Sequence, residues 1–241
     1  MIGVLELAEG KGRRPEMEWR KLLGLNCLWA TVPVTERLRE KARLRRVRRG
    51  AEALARAGVR RVLTAAQFPY WAVLRQSGLY PVEPEGFCQA MAAPLAMAAL
   101  AEQGRPPEQA SVLLSGRRAG PAMHRAAEQL CLRVRGLAVD AGEEGEKLAA
   151  WLRLEYGVAV QPPRTGQAEV ALCFGPDGAP GKTVFRLYGH RPDLAGFRPV
   201  PAAGGLPSAL DSLPLVALLW EEGRIAEKQL RFLPPNTKLL T

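Results

Sequence analysis

Two arginines sit inside a glycine-framed turn, Ser115-Gly116-Arg117-Arg118-Ala119-Gly120, that follows an apolar run and precedes a helical pattern. Such a turn suits an anion, because the free amides that open a helix and the planar guanidinium fork both bind phosphate oxygens. Asp140 stands 24 residues after Gly116, where a carboxylate would accept from a ribose hydroxyl. The dinucleotide fingerprint itself is incomplete. Counting from Gly116, it asks for glycine at 118 and glycine or alanine at 121, and the chain has Arg118 and Pro121. An arginine at 118 fills space that backbone would use to approach a pyrophosphate. Ser115, Gly116, Arg117, Arg118, Gly120 and Asp140 are therefore candidate binders of a nucleotide or dinucleotide, NAD(P) included, beside the alternative of a purely structural turn.

A second phosphate signal lies in GPDGAPGKT, residues 175–183. A phosphate loop ending at Gly181-Lys182-Thr183 needs glycine at 176, where the chain has Pro176, and it must open a helix. Here the next residues, VFRLY, alternate as a strand does, so the sequence predicts a β-hairpin over 169–189. His190, in the polar loop YGHRPD, is the best candidate for acid–base work, with a surface role as the alternative. Thr64, Gln67 and Tyr70 lie in the connection TAAQFPYW, where an amide and aromatics could line a small-ligand cleft between two domains or simply cover the core. No nucleophile elbow is present. The four cysteines, Cys27, Cys88, Cys131 and Cys173, lack metal-ligand spacing and sit in apolar segments, so buried free thiols are expected and no metal is.

The net charge is +10, and residues 36–56 hold nine basic and three acidic side chains. At helical spacing, Lys41, Arg45, Arg46, Arg49 and Arg56 fall opposite an apolar stripe of Leu44, Val47, Ala51, Leu54 and Ala55. A polyanion, either nucleic acid or an acidic protein, would fit that face, and so would plain solvent. No aromatic residue interrupts the segment to stack on bases.

The elements that position these residues follow from periodicity. Strands are expected at 2–7, 25–34, 59–65 and 79–82, a short helix at 15–24, and a long helix capped by Thr35 and ending near Ala57. Residues 86–104 read as a buried helix or helix pair divided near Pro94. After the break GRPPEQ come strands at 110–116, 136–140, 158–162 and 169–175, with helices at 121–134 and 144–157. A final apolar helix covers 208–223, whose PLVALLW could pack on a sheet or meet a second copy, and a basic tail follows. The fold class is α/β: parallel sheets with crossover helices in two domains, residues 1–103 and 104–241, the second a degenerate Rossmann-like, doubly wound fold.

In element order this layout resembles two-domain dehydrogenases of the shikimate dehydrogenase sort, which join an N-terminal α/β domain to a Rossmann domain. The family's catalytic motif is absent from the first half, and no catalytic residue is carried over. With 47% hydrophobic and 24% charged residues, the composition is that of a globular chain. No apolar run is long enough to span a membrane, and the first ten residues lack a basic leader, so a cytoplasmic protein is expected. The sequence reading is a binder of a phosphate-bearing small molecule in an interdomain cleft, with no catalytic step assigned; the alternative is an interaction protein working through the basic helix.

Overall fold

The computed structural model describes residues 1–162, 168–202 and 204–235. It divides into two compact units: 1–82 with 203–226, and 83–202 with 227–241. The sequence boundary at 103–104 differs in where it assigns 83–103 and 203–226. Among the described residues, no helix is long and apolar enough to cross a membrane.

In the first unit, β1 (Ile2–Glu9), β2 (Glu16–Leu22), β3 (Leu25–Val34), β4 (Arg61–Leu63) and β5 (Tyr80–Pro81) form one sheet in the order β2-β3-β1-β4-β5. All neighbours are parallel except β2 and β3, which form an antiparallel hairpin with Leu22 opposite Leu25. The helix expected at 15–24 is thus a strand. Its residues favour helix individually, but EMEWRKL also alternates, and pairing along the whole of β3 overrides local propensity. Leu23 and Gly24 both have positive φ, 47° and 86°, the two-residue turn whose twist suits a hairpin.

Helix α1 (Glu40–Arg56) starts five residues after Thr35, and Arg39 precedes it without a side-chain cap, so the capping role expected of Thr35 is corrected. Thr35 instead offers its carbonyl to Leu38 in a turn. The expected stripe is buried: Val47, Ala51 and Leu54 pack with Leu5, Leu28, Val32 and Leu74, the last from α2 (Trp71–Gln76). Gly50 lets α1 press onto β3, since a Cβ there would lie 2.6 Å from Val32 Cγ2. The opposite sheet face carries Val4, Cys27, Trp29 and Leu63, covered by Leu215, Leu218 and Leu219 of the late helix α7 (Ser212–Glu221). That helix is apolar because it packs back on this sheet.

The second unit begins with the helix pair α3 (Glu85–Ala90) and α4 (Ala92–Glu102), broken at Met91, three residues before Pro94. Then follow β6 (Ser111–Ser115), α5 (Pro121–Cys131), β7 (Gly136–Asp140), α6 (Gly142–Tyr156), β8 (Val160–Gln161), β9 (Val170–Cys173) and β10 (Thr183–Arg186). The sheet is wholly parallel, in the order β10-β9-β6-β7-β8. Its first three strands in sequence, β6, β7 and β8, lie side by side, and the next two, β9 and β10, continue from the other side of β6. That is the doubly wound Rossmann order, 3-2-1-4-5 when numbered within the unit and read from β8. Strand order reverses between β6 and β9.

One expectation fails here. β9 and β10 are parallel, with Thr183 beside Val170, so residues 174–182 form a crossover and not a hairpin. The chain leaves the carboxyl end of β9 and crosses a sheet face to start β10 at the opposite end. Gly181 makes the crossing close: a Cβ there would lie 2.9 Å from Ala171 Cβ. Thr183 opens a strand, where a phosphate loop would open a helix. An antiparallel pair, β11 (Arg198–Pro201) and β12 (Leu230–Leu233), completes the unit. β12 takes up part of the basic tail; residues 236–241 of that tail lie outside the described ones.

Candidate functional site

The carboxyl ends of β6, β7 and β9 meet at the reversal point of the second sheet. Phe174 N–H donates to the Ser115 carbonyl at 2.7 Å, and Gly116 N–H donates to the Asp140 carbonyl at 2.9 Å. Ser115 is buried, and its hydroxyl donates to the Asp177 carbonyl at 3.4 Å. Gly116 is closely packed: a Cβ would come within 3.1 Å of Met123 Cε on α5 and 3.4 Å of Phe174 Cβ, so the Met123 methyl would have to give way.

Gly120 leads into α5 in extended conformation, Pro121 has no N–H and no side chain caps the helix, so the Ala122 and Met123 amides are left without an intrahelical partner. Arg117 and Arg118 precede them and are exposed. Arg117 Nε lies 3.4 Å from Asp177 Oδ2, a solvated pair worth about 0–1 kcal/mol. Asp140 is exposed at the end of β7, in register with Ser115. An open depression of about 460 Å³ adjoins the helix start, lined by Ala119, Pro121, His124, Arg125 and Glu128.

The six candidate residues of the turn and of Asp140 thus gather at one end of one sheet. Sequence reasoning missed Asp177 and Phe174, about 60 residues further along. Their signal was the strand-plus-loop pattern ALCFGPDG at the fourth strand of the unit, because the first and fourth strands flank the reversal.

The other candidates lie on other elements. His190 Nδ1 is 2.9 Å from Glu83 Oε1, a partner 107 residues away in sequence, and both side chains are solvated. An orienting carboxylate is half of what a general base needs. In the first unit, Thr64 is buried and its carbonyl accepts from Asp211 N–H at 2.9 Å. Gln67 is exposed in a turn with φ 59°, and Tyr70 is buried with its ring edge-on to Phe68. The neighbouring Tyr70 hydroxyl raises the pKa of the Arg43 guanidinium.

On α1, Lys41, Arg45, Arg49 and Arg56 are exposed. Arg46 is half-buried and donates to the Pro33 carbonyl at 2.8 Å. Arg49 donates to the Arg13 carbonyl at 3.4 Å, which ties the basic loop Lys11-Gly12-Arg13-Arg14 to the helix. All four cysteines are buried free thiols. Burial pushes the Cys88 thiol up to about 12 and raises Cys27, Cys131 and Cys173 as well, which leaves them protonated and poor nucleophiles at neutral pH.

The Glu169 carboxylate is clearly displaced. Burial works to raise its pKa, but hydrogen bonds from Ser111 N–H and Oγ, both 2.7 Å, and the charge of Lys182 at 4.0 Å outweigh that and hold it below the ordinary range. It sits at the opposite end of the sheet, where it ties the start of β9 to β6.

No family model and no curated protein matches the chain. Among solved structures, L-tryptophan dehydrogenase from Nostoc punctiforme is similar at TM-score 0.32 and 13% identity, over 71% of this chain and 55% of that one. Phosphoglycerate oxidoreductase from Vibrio cholerae O395 is similar at TM-score 0.32 and 13% identity, over 71% of this chain and 65% of that one. The chain therefore spans less than two thirds of either neighbour. Likeness at this level says nothing of the ligand or chemistry of this chain.

Proposed function

We propose that the protein binds a phosphate-bearing small molecule, a nucleotide or dinucleotide, at the carboxyl end of the second sheet, with no catalytic step assigned. The observation that carries this reading is the strand reversal between β6 and β9, with the uncapped start of α5 and two exposed arginines directly beyond it. Phosphate would take the α5 amides and Arg118, and Asp140 would accept from a ribose. The depression beside Ala119 and His124 offers room for the rest of the ligand.

The same geometry limits the ligand. Asp177 pairs with Arg117 across solvent-exposed side chains, and its loop closes on Gly116, where a Cβ on Gly175 would lie 3.6 Å from Gly116 Cα. A phosphate must displace that carboxylate or sit away from it, on Arg118. Removing the charge in Asp177→Asn should tighten binding, and Arg118→Ala should weaken it. A thermal-shift panel of ATP, NAD and NADP tests both. A ligand at a hundred times its dissociation constant adds about 2.7 kcal/mol, or roughly 5–10 °C for a chain of this size. Equal shifts in the parent and Arg118→Ala would sink the assignment.

A second reading is supported by the hydrogen bond from Arg49 to Arg13, which widens the basic face of α1 by a loop of three more cations. Nucleic acid is the polyanion of choice for such a face. Binding there would fall steeply with salt and with Arg45→Glu and Arg49→Glu, and would ignore Arg118→Ala.

A further inference from the structure

Strand β2 is the outer edge of the first sheet, and six of its seven residues are exposed. Its charges, Glu16, Glu18, Arg20 and Lys21, are of the kind that blunt an edge against pairing. Its other residues do not fit a blunted edge. Trp19 is 57% exposed and Met17 is 38% exposed, side by side on one face, and the strand contains no proline. Unpaired seven-residue edges bearing an open tryptophan invite a partner strand.

The hairpin fixes which backbone groups face outward. Leu22 and Leu25 close a two-residue turn and so exchange hydrogen bonds, and the alternation then assigns Arg20, Glu18 and Glu16 to bonds with β3. The N–H and C=O groups of Met17, Trp19 and Lys21 therefore point away from the sheet. These three positions set the register open to an incoming strand.

We propose that this incoming strand is β2 of a second copy, antiparallel, with the two-fold axis at Trp19. In that register Trp19 faces Trp19 of the second copy as a hydrogen-bonded pair, and Met17 faces Lys21. Glu18 then falls opposite Arg20, and Arg20 opposite Glu18, at the non-hydrogen-bonded positions where opposed side chains come closest. The strand is self-complementary in charge about its own centre. Within one chain Arg20 already holds Glu18 at 2.7 Å and lies 5.2 Å over the Trp29 ring, so both charges are placed on the α7 side of the edge, on the same face as each other. Pairing would join two five-stranded sheets into one of ten, built through a closed, isologous contact.

Sedimentation of the intact chain tests this. It should show a concentration-dependent species of twice 26.3 kDa. Glu18→Arg and Arg20→Glu should each abolish it, weakening association about tenfold or more, because each puts like charges across the axis. The decisive experiment mixes the two single variants. The Glu18→Arg chain then carries arginine at both positions, the Arg20→Glu chain carries glutamate at both, and every opposed pair across the axis is of opposite charge. The mixture should dimerise although neither variant does alone, an outcome that loss of the Arg20–Glu18 contact within a chain does not produce. Circular dichroism checks that both variants fold. As an independent measurement, Trp19→Cys should form an intermolecular disulfide on mild oxidation, because hydrogen-bonded partners stand about 5.5 Å apart at Cα. Lys21→Cys should not, and the four native thiols are buried. A chain that stays at 26.3 kDa at about 100 μM, a dimer indifferent to both charge reversals, or a mixture that stays monomeric overturns the proposal.

Discussion

The two sheets share parallel strands but not the way their faces are covered. The first is packed with large side chains on both sides: α1 and α2 meet Leu5, Leu28 and Val32 on one face, and α7 meets Val4, Trp29 and Leu63 on the other. In the second, one face carries Val112, Leu114, Val139, Leu172 and Phe185, all buried, and Gly145 of α6 rests on Val139. Among the described residues, the opposite face carries the row Leu113, Ala138, Ala171 and Val184 with Cys173 beside it, and the loop residues Ala168 and Ala179 pack on the row. Polar residues flank the row, Ser111 and Glu169 at one end, Ser115 and Asp140 at the other. Parallel sheets ordinarily bury both faces under helices. Small residues in the row allow a bare crossover to approach closely instead, and that crossover brings Asp177 to the reversal point. The thinly covered face and the candidate site are thus one arrangement: the loop on that face is also the loop that brings Asp177 beside Arg117.

The largest expected effects separate the faces directly. Leu54→Ala and Leu218→Ala, fully buried on opposite sides of the first sheet, should each cost about 2–5 kcal/mol in denaturant unfolding. Val184→Ala, half-buried in the thin row of the second, should cost no more than about 1 kcal/mol. Comparable losses at all three would break the contrast.

A smaller effect concerns the polar end of the thin face. Ser111→Ala removes one of the two bonds that hold Glu169 and should cost about 1–3 kcal/mol at neutral pH. Because the folded-state pKa of Glu169 is lowered, its contribution is complete above the unfolded-state value. It is lost as pH falls through the folded value. The cost of Ser111→Ala should therefore shrink in acid. A loss that stays constant from neutral pH down to about pH 3 would contradict the role given to Glu169.

The smallest effect sharpens the account of the first sheet. Leu23 adopts a left-handed conformation that a bulky residue occupies at a cost, and its side chain is 44% exposed. Leu23→Asn should stabilise by about 0.5–1 kcal/mol, and a destabilisation would mean that Leu23 packs on something that matters.

Much of this was legible in the chain. Continuous apolar runs such as SVLLS and VALC gave the parallel strands, and the stripe through Val47, Ala51 and Leu54 gave α1 and its buried side. β2 escaped because Glu, Met, Arg, Lys and Leu favour helix, and Leu23-Gly24 carries no asparagine or aspartate to announce the turn. The β9–β10 pairing escaped because a nine-residue connection is short for parallel neighbours, and only the small side chain at Ala171 and the absence of one at Gly181 make it possible. The turn and Asp140 were singled out as candidates from spacing alone. The Asp177–Arg117 and Glu83–His190 pairs were not, since each joins residues that only the folded chain brings together.

The central claim is that the reversal point of the second sheet takes a phosphate-bearing ligand through Arg118 and the start of α5. Isothermal titration of ATP, NAD and NADP into the intact chain and into Arg118→Ala, at moderate salt, tests it most directly. At least one of the three should bind the parent and lose about tenfold or more in affinity in the variant, the usual worth of a charge-assisted contact. No binding by any of them, or binding unchanged by Arg118→Ala, would contradict it.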